Sequence, residues 1–84
     1  MTKETVIQGV VSRGGQPVGG AYVRLLDTTG EFTAEVPTSA TGQFRFFAAP
    51  GQWTLRTLAP GSTLDRKVIA SQGQVADVSV ELPA

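Results

Sequence analysis

The sequence of 84 residues has no cysteine and no histidine. Disulfide staples are thereby excluded, and so are zinc sites built on thiolates and imidazoles. Neither charge sign is in excess, since seven basic residues cancel seven acidic ones. That balance lacks the electrostatic footprint of a nucleic-acid binder. No apolar run approaches the roughly 20 residues of a membrane span. No stretch repeats apolar residues at helical spacing over three turns, so helix should be scarce. Lysine occurs only at Lys3 and Lys67. Without His or Cys, a nucleophilic Ser or Thr would need one of them, or a carboxylate, as its base, and no Ser, Thr or Gly-rich oxyanion loop is grouped with them. Gly14-Gly15 and Gly19-Gly20 lack the strand-then-helix context of a phosphate loop. The sequence is therefore expected to encode no enzyme and to require no cofactor.

What is present is punctuation and alternation. Gly and Pro recur about every ten residues, as in an all-β sandwich or barrel. Between them run strand-like segments at Thr5–Ser12, Ala21–Leu26, Phe32–Thr38, Gln43–Phe47, Gln52–Leu58, Arg66–Ala70 and Val75–Leu82. Side chains alternate across a strand, so Ala21, Val23 and Leu25 share one face while Tyr22, Arg24 and Leu26 share the other. Val78, Val80 and Leu82 alternate in the same way with Asp77, Ser79 and Glu81. Two strings stand out, Thr41–Phe47 and Pro50–Arg56. They suggest a hairpin across Ala48-Ala49-Pro50-Gly51, with Phe46 opposite Trp53 and Phe44 opposite Leu55. These four residues, with Val23, Leu25 and Val80, are the expected centre of the core. Gly42 is expected to take a positive φ that launches its strand. Residues 1–84 form one expected domain of two packed sheets, burying roughly 60–65% of the surface of the unfolded chain. The opening Met1-Thr2-Lys3-Glu4 leads straight into alternating sequence and does not resemble a secretory leader, so a cytoplasmic setting is expected.

Several of these residues form a family pattern. Gly9-Val10-Val11, the run Gln16-Pro17-Val18-Gly19-Gly20-Ala21-Tyr22-Val23, then Thr41-x-x-Phe44-x-Phe46 and Pro50-Gly51-x-Trp53-x-Leu55 resemble the carboxypeptidase-regulatory-like family. The match spans Ile7 to about Leu58. It implies a prealbumin-like (transthyretin-like), seven-stranded antiparallel Greek-key β-sandwich. More narrowly, Phe44–Gly51, Trp53–Arg56 and Glu31–Val36 resemble a short actinobacterial family of unknown function encoded beside thiosulfate sulfurtransferase. That likeness implies a sulfurtransferase as a partner. Members of that family often begin with a cysteine-bearing extension, and the absence of cysteine here argues against direct sulfur handling.

The candidate site residues are Tyr22, Arg24, Leu26, Arg45, Phe47 and Arg56, all at outward positions of the alternation. Tyr22, Leu26 and Phe47 read either as scattered surface apolar area or as an interaction patch. The arginines read either as solvated positions paired with Glu35, Asp77 or Glu81, or as a stripe for an anion or acidic partner. Trp53 would suit a sugar platform, but its alternation points inward. Asp27, Glu31 and Asp65 match no calcium-loop spacing, and no metal site is expected. With no asparagine, a Lys–Asn isopeptide cross-link is excluded. The reading that emerges is a non-catalytic module that binds a protein partner or itself. A carbohydrate or small-molecule binding module is the alternative, and a component of a sulfur-metabolism enzyme a more distant one.

Overall fold

Alternation of apolar side chains dictates two sheets that press their inner faces together. In the computed structural model, which describes residues 3–83, the strands are β1 (Val6–Arg13), β2 (Gln16–Pro17), β3 (Tyr22–Leu26), β4 (Phe32–Pro37), β5 (Gln43–Phe47), β6 (Gly51–Ala59), β7 (Ser62–Ala70) and β8 (Val75–Leu82). Met1 and Thr2, on which the reading of the leader partly rests, lie outside the described residues. One sheet has β1 at its centre, flanked by β5 and the short β2 on one side and by β8 on the other. The second sheet runs in the order β4-β3-β6-β7. All pairings are antiparallel except β1 with β8, which is parallel. The all-β sandwich expectation holds, with eight strands in place of seven because the two residues of β2 pair with the end of β1.

The expected β5–β6 hairpin does not form. β5 pairs with β1, placing Phe46 opposite Ile7 and Phe44 opposite Gly9. β6 lies in the other sheet, with Trp53 opposite Val68 and Leu55 between Leu25 and Arg66. The link through Ala48-Ala49-Pro50 thus crosses from sheet to sheet, and the two apolar rows meet face to face across the core. The Trp53 indole fixes that crossover by donating its Nε1–H to the Ala49 carbonyl at 2.9 Å. The true Pro-Gly hairpin is Pro60-Gly61, with Ala59 opposite Ser62 and Gly61 at a φ of 76°. Pro pre-sets the first turn position and Gly supplies the positive φ at the second.

Phe44, Phe46, Leu55, Val23, Leu25 and Val80 are all buried in one core cluster, and Trp53 packs against it half-buried. Gly9 lies between Phe44 of β5 and Val78 of β8, its neighbours in the same sheet. A Cβ there would run into the Val78 carbonyl and the Phe44 ring. The Phe44 and Phe46 rings sit 6.3 Å apart at 56°. Gly42 takes the expected positive φ, 77°, and its carbonyl accepts from the Val11 amide at 2.8 Å.

Thr38 staples the end of β4. Its hydroxyl donates to the Val18 carbonyl at 2.7 Å and accepts from the Ala21 amide at 3.0 Å. On one open side of the sandwich, Arg66 of β7 donates to the Ser79 carbonyl of β8 at 2.6 Å, closing the gap between the two edge strands.

Candidate functional site

The six candidate residues fall on opposite outer faces. Tyr22, Arg24, Leu26 and Arg56 belong to the β4-β3-β6-β7 sheet, while Arg45 and Phe47 belong to the sheet centred on β1. A single patch containing all six is therefore not what the fold builds. The alternation within β5 gives the direction of Arg45 and Phe47 but not their sheet.

On the first of these faces the register aligns rows across four strands. Pro37, Tyr22, Leu58 and Thr63 form one row, and Glu35, Arg24, Arg56 and Asp65 form the next. Arg24 donates through Nε to Glu35 Oε1 at 2.7 Å. Arg56 grips Asp65 with two parallel bonds, from Nε at 2.9 Å and Nη2 at 3.0 Å. Bidentate geometry of this kind fixes the guanidinium plane as well as its position. It also holds the Asp65 carboxyl below its ordinary value, the Arg56 hydrogen bond being the main cause. Glu35, one of the three acids expected to pair with the arginines, does so with Arg24. Asp65 is not among those acids: β7 begins at Ser62, and the sequence offers little alternation before Arg66.

Leu26, expected at an outward position, is buried at only 5% exposed. It ends a central strand at a β-bulge, where the register shifts and Leu26 faces Phe32 on one side and Thr54 on the other. Bulges bend and twist a strand locally, and here Leu26 offers nothing to a partner. Tyr22 is half exposed, and Phe32 and Ile69, at 61% and 70%, are exposed apolar residues that the sequence reading passed over.

The opposite face is a polar ladder with an apolar end. Arg45 donates to Gln8 Oε1 at 3.1 Å, and Gln8 Nε2 donates to Asp77 Oδ1 at 3.1 Å. Ser12 donates to Glu81 Oε2 at 2.6 Å. At the end of this face, Phe47 and Val75 are exposed and flank the buried Val6. A groove of about 610 Å³ opens between the edges of β4 and β5, lined by Gln8, Val36, Ser39, Gln43, Phe44 and Arg45.

Asp27 is structural. Its Oδ1 accepts from the Thr29 hydroxyl at 2.6 Å and from the Thr29 and Glu31 amides at 2.9 and 3.0 Å. The Thr29 hydroxyl, then the Glu31 amide, hold its carboxyl below the ordinary value. Among the described residues, no three His, Cys, Asp or Glu side chains gather as a metal site would require.

Comparison with known proteins places this geometry among relatives. Residues 1–82 match the family described as "Protein of unknown function (DUF1416)". The Mycobacterium tuberculosis (strain H37Rv) protein "Uncharacterized protein Rv0814c" is 57% identical over 83 residues, covering 98% of this chain and 83% of that protein. Among solved structures, the Bacillus anthracis TIE protein superposes with a TM-score of 0.83 at 13% identity, over 96% of this chain and 17% of that one. GBS52, the minor pilin of Streptococcus agalactiae, superposes with a TM-score of 0.78 at 12% identity, over 99% of this chain and 45% of that one. At such identities the likeness shows the β-sandwich fold alone.

Proposed function

We propose, for a chain that belongs to this family of unknown function, a non-catalytic role as an interaction module that binds a protein partner or a second copy through the outer face of β3 and β6. The observation that carries the reading is the ordered face itself. Half-exposed Tyr22 and its neighbour Leu58 lie directly beside Arg24, held by Glu35, and Arg56, whose plane is set by Asp65. Interface energy concentrates in aromatic and Arg anchors surrounded by residues that exclude water. Trp53 contributes no comparable platform, because its body packs on the core and its N–H is engaged by Ala49.

Because Tyr22 and Phe47 lie on opposite faces, single variants separate the two surfaces. Tyr22→Ser is expected to abolish association in sedimentation velocity and in affinity capture, with a sulfurtransferase as the first partner to try. Phe47→Ser should leave association intact, and both variants should keep the circular dichroism of the parent. Loss with Phe47→Ser alone would move the binding surface to the other sheet. The groove beside β5 supports a second reading, since its volume lies in the range of small-molecule sites. Glycan or metabolite binding that Arg45→Ala abolishes would put that reading first.

A further inference from the structure

The outer face of β3 and β6 also carries the chemistry of its partner, and this step rests on the interaction-module reading above. Across the four strands the charges run acid, cation, cation, acid, from Glu35 through Arg24 and Arg56 to Asp65. Arg24 and Arg56 stand directly opposite each other on the two central strands. Like charges in that relation destabilise a sheet, and an alternating order would have avoided the cost. Each arginine is drawn toward the acid on its outer side, Arg24 by a single Nε bond and Arg56 by Nε and Nη2. A guanidinium carries five N–H donors. Among the described residues, most of the donors of this pair make no other hydrogen bond, and they lie at the centre of the face.

Glu35 on β4 and Asp65 on β7 each touch their own arginine from its outer side, leaving the space between Arg24 and Arg56 without an acid. A carboxylate arriving over the middle of the row meets two guanidiniums before it meets either acid. The cation Lys67, one row further along with Leu26 and Thr54, makes no ion pair among the described residues, and cations outnumber acids on this stretch of the face. On the other side of the arginine row, Tyr22 and Leu58 provide apolar contact two residues along the same strands.

We infer that this face docks an acidic protein segment in extended conformation, with one carboxylate between Arg24 and Arg56 and an apolar side chain two residues away against Tyr22 and Leu58. The two-residue spacing follows from the alternation of an extended chain. Arginine is suited to the task because its planar fork matches a carboxylate and its charge is permanent.

The test uses a labelled peptide in which threonine alternates with glutamate and leucine, and a control in which lysine replaces each glutamate. Titrated into the isotope-labelled protein, the acidic peptide should shift the amide resonances of Tyr22, Arg24, Arg56 and Leu58, and the lysine peptide should not. The Arg24→Gln/Arg56→Gln variant should bind about tenfold or more weakly. Arg24→Lys/Arg56→Lys, which keeps the charge and loses the fork, should fall between. Dispersed spectra of both variants establish that they are folded. Unchanged affinity in the glutamine variant, shifts confined to Arg45 and Phe47, or no shift at millimolar peptide would each overturn the proposal. So would association that proves to be with a second copy only. If Tyr22→Ser abolishes association while the arginine variants do not, the interaction module stands and the acidic partner falls.

Discussion

Thr57 lies on the inner face of β6, between Val23 of β3 and Leu64 of β7. It is completely buried, and among the described residues its hydroxyl has no hydrogen-bond partner. A buried hydroxyl that gives up water and gains nothing costs about 1–3 kcal/mol. Thr57→Val exchanges that hydroxyl for a methyl group in a site already lined by apolar side chains. The variant should therefore be more stable by about 1–2 kcal/mol. In a domain of this size each kcal/mol shifts the melting temperature by about 4–8 °C, so a rise of about 5–15 °C is expected. Thr57→Ser is the companion variant, since it keeps the hydroxyl and deletes the methyl. It should lose about 1 kcal/mol, in the manner of other small core truncations. The assay is urea unfolding followed by Trp53 fluorescence and far-ultraviolet circular dichroism. A higher midpoint at unchanged slope would report a change in stability rather than in the compactness of either state. A valine variant that melts at or below the parent would refute the argument, because the hydroxyl would then be satisfied in solution.

Three further outcomes follow from the same packing. Gly42→Ala should destabilise by about 1–3 kcal/mol, since φ is positive there and a Cβ would press on the Val11 carbonyl; calorimetry within a degree of the parent would contradict it. Trp53→Ala should cost about 3 kcal/mol, the lower end for a large aromatic because the ring is only half-buried, and Trp53→Phe, which loses the bond to Ala49, should cost about 1 kcal/mol by thermal melts. Asp65 titrates below its ordinary value of 3.8 when folded, so its pairing with Arg56 contributes fully above about pH 4 and is lost as the pH falls through the lower folded value. Asp65→Asn should therefore flatten the acid-side decline of the urea midpoint, and a decline identical to that of the parent would show that the pair contributes nothing.

The sandwich was legible wherever a strand hides one face. Val78, Val80 and Leu82, or Phe44 and Phe46, announce their inward direction through alternation, and burial follows it. Alternation is silent about partners, however. Phe46 and Trp53 face the same interior whether their strands pair or oppose each other across it, so a short link through Pro50-Gly51 read as a hairpin when it is a crossover. The contrast with Pro60-Gly61 is instructive. There two strands of equal length flank the turn, but in the first half of β7 Leu64 is the lone apolar residue and gives no periodic signal. The candidate site suffered for the same reason. The outward directions of Tyr22, Arg24 and Arg56 could be read, whereas the rows that join them to Glu35, Asp65 and Leu58 exist only once the strand order is known.

The parallel pairing of β1 with β8 has a mechanical consequence. Val6 lies beside Val75 and Arg13 beside Leu82, so the chain enters the sandwich at one pole of this pair and leaves it at the other. Tension entering through β1 and leaving through β8 pulls the two strands past each other along their length. The backbone bonds between them are then loaded together, in shear, and none can part ahead of its neighbours as in the opening of a zipper. Resistance to such a load is a matter of unfolding rate rather than of equilibrium stability. In a sandwich with no covalent cross-link between cysteines, the order in which the first and last strands lie side by side thus sets the direction in which a stretching load meets their bonds.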